Sequence, residues 1–247
     1  MSARLSRVQM ERLERWFSGQ PGAFAFSQQR RLVGRLSMIW SRREGRLLDI
    51  GCRNGHFLEA FWESGFDVDG VDAEPELLAR ARTCIGERAD CNVGSPEHLG
   101  FADGEYEYTT VLQVLDLCEN PEAVIKEALR VAKLGVIIGF WNKWSLTQTL
   151  RRCRGAEAEY LSDIQWHNPL EMTRMVEKLA NRKISRKASV LPGPACTWRR
   201  DRPLGRVNRR VYPFPLGAYC AIRVDFLDDK LVTPLMSFST SPCGGSV

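Results

Sequence analysis

Short apolar runs alternate with amphipathic stretches between positions 46 and 140. Runs rich in Val, Ile, Leu and Tyr are typical of strands that are covered on both faces. They predict strands at 46–50, 66–71, 89–93, 106–112 and 136–140. Apolar residues at helical spacing predict intervening helices at 55–64, 75–82 and 121–132. Strands separated by helices of this length favour a parallel sheet with right-handed crossovers.

Two helical patterns precede this alternation. Residues 1–18 carry apolar side chains at helical spacing among arginines, which predicts an amphipathic helix that packs on the domain. A membrane-surface helix is the alternative, but Glu11 and Glu14 weaken it. A Gly-Gln-Pro-Gly break at 19–22 separates this helix from a second one predicted at 27–41.

The pattern changes after position 140. Residues 141–168 are rich in Trp, Arg and polar side chains and fit no simple crossover. Asn168 and Pro169 predict the start of a helix that ends near position 180. Strands are predicted at 184–191 and 217–226, with a basic, Pro-containing connection at 192–215 that lacks regular structure.

The turn after the first strand is the most informative segment of the chain. Leu47 to Phe57 reads as a strand, a glycine-bearing turn and the start of a helix, the order that holds a ligand at the strand ends of an open α/β sheet. Asp49, Gly51 and Gly55 give the spacing Asp-x-Gly-x-x-x-Gly. This spacing differs from the Gly-x-Gly-x-x-Gly of dinucleotide-binding turns and disfavours a nicotinamide oxidoreductase.

Further segments follow this turn in a characteristic order. Asp72 ends the second strand at about the distance from Gly51 at which an acid reaches a ribose hydroxyl. Together with the segment 94–99 and Gln113, which follows the fourth strand, these residues resemble class I S-adenosylmethionine (SAM) dependent methyltransferases of the small-molecule, type 11-like group. The resemblance implies SAM as cofactor, bound by Asp49, Gly51, Cys52, Arg53, Gly55, Asp72, Ala73, Ser95, Pro96 and Gln113.

The resemblance also implies a fold. We expect an α/β, Rossmann-like, doubly wound and mostly parallel seven-stranded sheet, with helices on both faces and an antiparallel last strand. Three regions are expected: N-terminal helices at 1–44 that pack over the cofactor pocket, a SAM-binding methyltransferase domain at 45–227 with a basic insertion at about 142–168, and a loose tail at 228–247.

Arg53 departs from the family pattern, which has a glycine at this position. If the position requires a positive φ, an arginine there costs roughly 1 kcal/mol. The guanidinium would compensate by pairing with the carboxylate of the cofactor, which is a charge-assisted contact.

Methyl transfer requires alignment of donor and acceptor more than side-chain chemistry. A general base is needed only when the attacking atom carries a proton. Tyr160 and His167, with Asp163, are the candidates for this role, although a histidine beside tryptophans is more often structural. Candidate walls of an acceptor site are Trp141, Trp144 and Trp166, while core packing is the simpler interpretation of Trp16, Phe17, Phe24 and Phe26.

Composition narrows the choice of partners. The chain has 247 residues, a net charge of +5 and eight scattered cysteines without a Cys-x-x-Cys motif, so we predict no metal site and a reducing, cytoplasmic location. Basic residues concentrate at 142–213, which suggests an acidic small molecule or RNA as the acceptor. The chain has no recognisable RNA-binding module, so nucleic acid is disfavoured.

The sequence therefore predicts a SAM-dependent methyltransferase that moves a methyl group by in-line displacement to a small and, on one interpretation, acidic acceptor. A non-catalytic regulatory or partner protein with the same fold and an RNA methyltransferase are the alternatives. We expect a monomer or a dimer that does not associate with membranes.

Overall fold

The computed structural model describes residues 7–42, 45–154, 159–199 and 205–226. The tail predicted at 228–247 lies outside the described residues. Within them, no helix combines the length and the apolar character needed to cross a membrane.

A single mixed sheet forms the centre of the molecule. Its strands are β1 (Arg46–Ile50), β2 (Asp67–Asp72), β3 (Ala89–Val93), β4 (Tyr106–Val111), β5 (Ala132–Trp141), β6 (Arg186–Val190), β7 (Tyr212–Pro213) and β8 (Tyr219–Asp225). Their spatial order is β3-β2-β1-β4-β5-β8-β6-β7. The first five strands in this order are parallel, and β8 pairs antiparallel with both β5 and β6. The carboxyl ends of β1, β2 and β4 therefore meet at one edge of the sheet, where ligands bind in open α/β folds.

Helices cover both faces of the sheet. They are α1 (Arg7–Ser18), α2 (Gln20–Leu36), α3 (His56–Glu63), α4 (Pro75–Ile85), α5 (Pro121–Val131), α6 (Leu146–Arg154), α7 (Glu159–Asp163), α8 (Pro169–Ala180) and α9 (Gly205–Asn208). One apolar core lies between the sheet and α1 to α4, and a second lies beneath α5 and α8. Consecutive residues of β1 alternate between them, because Leu47 belongs to the first core and Leu48 to the second.

The sheet has eight strands, so the expected seven is wrong by one. The additional strand is β7, whose Tyr212 lies opposite Ser189 of β6. It falls within the connection predicted at 192–215, because a strand of two residues has no periodicity that a sequence pattern reveals. The parallel centre, the antiparallel β8 and the helices on both faces agree with the predicted fold class.

The second helix begins earlier than predicted. It starts at Gln20 and not at position 27, because Pro21 occupies its first turn, where the missing N–H of proline has no partner to lose. Gly22 lies directly against the backbone of Trp16, and a Cβ at this position would overlap the carbonyl oxygen of Trp16. The Gly-Gln-Pro-Gly segment therefore joins two helices that touch, instead of forming an extended linker.

The insertion after β5 contains two helices that the sequence did not predict, α6 and α7. Helix α7 packs against α1, and Nη1 of Arg12 lies 2.8 Å from both carboxylate oxygens of Asp163. The insertion thus brings Tyr160 under the N-terminal helices.

Candidate functional site

The turn between β1 and α3 needs backbone conformations that favour glycine. Gly51 has a φ of +73°, and a Cβ there would lie 2.6 Å from Cβ of Val114. The amide of Gly51 donates to the carbonyl oxygen of Val71 at 2.8 Å, which holds the turn against the end of β2. Gly55 follows as the residue that caps α3, also in the left-handed conformation. The turn therefore brings backbone close to the strand ends and leaves space beside it.

Arg53 also adopts the left-handed conformation, with a φ of +49°. Its amide donates to Oδ2 of Asp72 at 2.9 Å, and the amide of Glu74 donates to Oδ1 of Asp72 at 2.9 Å. The Asp72 carboxylate thus connects the turn after β1 to the turn after β2. Burial raises the pKa of Asp72, and these backbone donors oppose that rise by stabilising the charged form.

A cleft of about 520 Å³, open to solvent, lies at the ends of β1, β2 and β4. We call it the main cleft. Its lining includes six of the residues predicted to bind a cofactor: Gly51, Arg53, Asp72, Ala73, Pro96 and Gln113. Glu74, Leu77, Glu97, Val114, Leu117 and Cys118 complete the lining. The cleft combines a carboxylate at a strand end with apolar walls, which suits a ligand that carries a sugar and a flat ring.

A second, smaller cavity of about 210 Å³ lies beside the main cleft and shares Gln113 with it. We call it the aromatic pocket. Its lining is Trp16, Phe17, Gln29, Leu112, Gln113, Asp116, Trp141, Tyr160 and Tyr219. The rings of Trp16 and Tyr160 stack with centroids 5.5 Å apart. The pocket is therefore a largely aromatic chamber with three polar side chains besides its tyrosines.

Arg53, Tyr160 and Asp116 form a buried polar cluster between the two cavities. Nη1 of Arg53 donates to the hydroxyl oxygen of Tyr160 at 3.2 Å, and that hydroxyl donates to Oδ2 of Asp116 at 2.7 Å. Nη2 of Arg53 lies 3.5 Å from the same Oδ2 and also donates to the carbonyl oxygen of Gln113. Burial, and after it the charge of Asp116, raises the pKa of Tyr160, so this hydroxyl keeps its proton.

A match to a family model indicates which proteins share this arrangement. Residues 48–140, from β1 to β5, match the model described as a methyltransferase domain. The match covers less than half of the chain, and it shows that residues 48–140 are similar to this family. The segment contains the turn after β1, Asp72 and Gln113, which are the parts that form the main cleft.

Solved structures share the fold of this methyltransferase domain. A SAM-dependent methyltransferase of Thermotoga maritima, described as a possible histamine N-methyltransferase, has a TM-score of 0.67 at 18% identity and covers 87% of this chain and 95% of its own. The structure of magnesium protoporphyrin IX methyltransferase of Synechocystis PCC 6803 was solved with bound S-adenosylhomocysteine (SAH). It has a TM-score of 0.63 at 13% identity and covers 89% of this chain and 94% of its own. At these identities the likeness shows the fold.

Curated relatives match part of the chain. The ubiquinone biosynthesis O-methyltransferase of Pectobacterium atrosepticum is 31% identical over 109 residues, which are 41% of this chain and 45% of that enzyme. An uncharacterised protein of Methanocaldococcus jannaschii is 28% identical over 145 residues, which are 57% of this chain and 66% of that protein. The chain thus spans less than two thirds of the length of these relatives.

The other residues predicted to bind the cofactor, Asp49, Cys52, Gly55 and Ser95, are not among the residues that line the cleft. Asp49 is buried within the sheet and accepts a hydrogen bond from Oγ1 of Thr110 at 2.7 Å. Burial raises the pKa of Asp49 to about 7, although the Thr110 hydrogen bond opposes this rise. Cys52 is buried in the first core, and the hydroxyl of Ser95 accepts from the amide of Glu97. The contact of these residues with a cofactor stays a prediction.

The structure separates the two candidate general bases. Tyr160 lines the aromatic pocket, whereas His167 lines neither cavity. Nε2 of His167 lies 2.9 Å from the carbonyl oxygen of Leu115, and its ring packs edge-on against Phe140. The amide of His167 also donates to the carbonyl oxygen of Trp141 at the end of β5. A role for His167 as a general base stays a prediction.

The structure also separates the aromatic residues that were candidate walls of an acceptor site. Trp141 lines the aromatic pocket, and Trp166 packs on it from outside with ring centroids 5.5 Å apart. Trp144 is exposed and lines neither cavity. Trp16 and Phe17, for which core packing was the simpler interpretation, line the pocket as well.

Sequence reasoning missed Asp116, Gln29 and Tyr219. An acid shortly after the fourth predicted strand is the same type of signal that identified Asp72 after the second, so Asp116 was within reach of the sequence. Gln29 and Tyr219 lie in α2 and β8, and no local pattern distinguishes them from other positions of those elements. Burial reveals them, since Gln29 and Asp116 are both buried polar side chains.

Proposed function

We propose that the protein binds SAM in the main cleft and catalyses transfer of its methyl group to a small molecule in the aromatic pocket. One observation carries this proposal: the cleft formed by the methyltransferase domain adjoins a second cavity, and Gln113 lines both. Two adjoining cavities allow a donor and an acceptor to be held in line, which is most of what methyl transfer requires.

The residues of the main cleft fit SAM. Asp72 ends β2 with a carboxylate that accepts from two backbone amides and has further lone pairs for the hydroxyls of a ribose. Leu77, Val114 and Leu117 supply apolar surface for a flat ring. SAM, when bound, supplies an activated methyl group on a sulfonium. Gly51 lines the cleft, so the methionine part can lie against its backbone.

The N-terminal helices have a role in this proposal. Trp16 and Phe17 of α1 and Gln29 of α2 close the aromatic pocket on the side away from the sheet. The Arg12–Asp163 ion pair fastens α1 to α7, the helix that carries Tyr160. Closure of the pocket excludes water from the reacting groups, which agrees with the predicted packing of 1–44 over the site.

The acceptor is proposed to be small, because the aromatic pocket is less than half the size of the main cleft. None of the basic residues of 142–213 that the structure describes lines either cavity, so their charge gives no support to an acidic acceptor. A cytoplasmic location and a monomeric or dimeric state stay predictions.

Calorimetry with SAM and with SAH tests the proposal. We expect both to bind, and the Asp72→Ala variant to bind them about 1–3 kcal/mol more weakly because hydrogen bonds to a charged carboxylate are lost. Asp67→Ala is the matched control, because Asp67 is an exposed carboxylate at the opposite end of β2. Absence of binding of either compound at high micromolar concentration would contradict the proposal and support a non-catalytic role.

A further inference from the structure

We propose that the methyl acceptor is a small amine, held in the aromatic pocket as an ammonium by Asp116 and the surrounding rings. This inference rests on the proposed function, since it names the acceptor class for that reaction.

The net charge of the residues that line the two cavities favours a cationic acceptor. Across the described residues that line the two cavities there are four carboxylates against one guanidinium, that of Arg53. The carboxylates belong to Asp72, Glu74, Glu97 and Asp116. SAM brings one net positive charge, so the lining keeps an excess of negative charge when the donor is bound. An anionic acceptor would add to this excess, whereas an ammonium would reduce it.

The two carboxylate oxygens of Asp116 differ in their hydrogen-bond partners. Its side chain is 4% exposed, and Oδ2 receives the Tyr160 hydroxyl and lies near Nη2 of Arg53. Oδ1 accepts no hydrogen bond from any residue that the structure describes, although Asp116 lines the aromatic pocket. A ligand N–H in the pocket can therefore donate to Oδ1 without displacing a donor of the protein.

The other polar groups of the pocket favour a ligand that donates hydrogen bonds over one that accepts them. Both Nη atoms of Arg53 already donate, to Tyr160, Asp116 and the carbonyl oxygen of Gln113. An anionic group would have to compete with these partners for the guanidinium. An ammonium would find Oδ1 unoccupied, together with the amide oxygens that Gln29 and Gln113 can present.

The aromatic rings of the pocket also favour a cationic acceptor. Trp16, Phe17, Trp141, Tyr160 and Tyr219 contribute to the lining of a cavity that also contains one carboxylate. The face of an aromatic ring attracts a cation within about 6 Å of its centroid, most strongly where water is excluded. Aromatic side chains grouped around a carboxylate match the requirements of an ammonium better than those of a neutral hydroxyl.

The reaction balances with these groups. The bound ammonium releases one proton to Oδ1 of Asp116, and the nitrogen lone pair then forms the N–C bond to the methyl group. The S–C bond breaks as this bond forms, and its electron pair stays on sulfur. The methylated amine leaves as a cation, the donor leaves as neutral SAH, and Asp116 returns its proton to solvent.

The test measures binding to the wild-type protein saturated with SAH. The ligands are propylamine, 1-propanol and butanoate, which have similar shapes and carry a positive, a neutral and a negative group. Quenching of tryptophan fluorescence reports occupancy, because Trp16 and Trp141 line the pocket. We expect the amine to bind about tenfold or more tightly than the alcohol, and the carboxylate to bind most weakly.

Variants separate Asp116 from general surface charge. Asp116→Asn should lower amine affinity about tenfold while alcohol affinity changes less than about twofold. Glu119→Gln, which alters an exposed carboxylate three positions along the chain, should leave both affinities unchanged. If Asp116→Asn fails to fold, Phe17→Leu provides a second variant, because it removes one half-buried ring of the pocket and should reduce the preference for the amine over the alcohol.

The outcomes are distinct. Failure of SAH to bind contradicts the proposed function itself. Binding of SAH with equal or better affinity for the alcohol or the carboxylate, or with no binding of the amine, overturns the amine inference and leaves the proposed function standing.

Discussion

Nη1 of Arg53 lies 3.2 Å from the hydroxyl oxygen of Tyr160, although 107 residues separate them in the chain. The two side chains join the motif turn after β1 to the insertion after β5. The contact places a guanidinium at the position where the pattern of the resembled family has a glycine. It also builds the wall between the main cleft and the aromatic pocket.

Removal of the Tyr160 hydroxyl should destabilise the protein. Tyr160→Phe leaves one Arg53 donor unpaired and takes a donor from Asp116, so we expect the free energy of unfolding to fall by about 1–3 kcal/mol. Urea unfolding measures the change. Tyr212→Phe, which removes a hydroxyl bonded to the carbonyl oxygen of Val207 at a partly exposed site, should cost less. Equal costs for the two variants would show that the buried cluster adds no stability.

The backbone at Arg53 can be tested with small side chains. Arg53→Gly and Arg53→Ala both leave Asp116 without its cation, so both should be less stable than the wild-type protein. Because φ is +49° at this position, we expect the glycine variant to be more stable than the alanine variant by about 1 kcal/mol. Thermal and urea unfolding of the pair give the difference, and an alanine variant of equal or greater stability would exclude strain at this position.

Asp49 should make stability depend on pH. Its pKa is raised to about 7 in the folded protein by burial, whereas an unfolded chain has an aspartate pKa of about 3.9. The folded state therefore holds the proton more tightly, and stability is lost as pH rises towards 7. Between pH 5 and pH 8 the loss from this group is at most about 3 kcal/mol.

Urea unfolding at these two pH values checks the sign and the origin of the effect. Asp49→Asn cannot ionise, so the decline should be smaller in this variant by the amount that Asp49 contributes. Asp67→Asn, at an exposed position on β2, should retain the wild-type decline. An unchanged slope in Asp49→Asn would show that Asp49 is ionised across the whole range.

The contact between the N-terminal helices should depend on Gly22. Gly22→Ala places a Cβ against the carbonyl oxygen of Trp16, so α1 must move and the free energy of unfolding should fall by about 1–3 kcal/mol. Gly34→Ala in the same helix is the control, because a Cβ there meets nothing within 4 Å and should stabilise the helix by about 0.4–1 kcal/mol. Thermal unfolding compares them, and a neutral Gly22→Ala would mean that α1 packs loosely.

The parallel centre of the sheet and the edge at which the main cleft lies were accessible from the sequence. Asp49, Gly51 and Gly55 indicated the turn, and Asp72 at the end of the second strand indicated the side of the sheet on which a ligand lies. These signals are local, because alternation of buried runs and the left-handed φ of Gly51 depend on residues within one strand and one turn.

The aromatic pocket was decided by the tertiary structure. Trp16, Gln29, Tyr160 and Tyr219 come from α1, α2, α7 and β8, and they meet only after those elements pack on the sheet. A short helix such as α7 has too few turns to show a periodic pattern, and a single buried glutamine has no pattern at all. The sequence by itself determined the α/β frame and the turn that opens the cleft, because backbone sterics and burial patterns act over neighbouring residues. Only tertiary packing decided which distant side chains surround Asp116, because their encounter depends on how whole helices lie against one another.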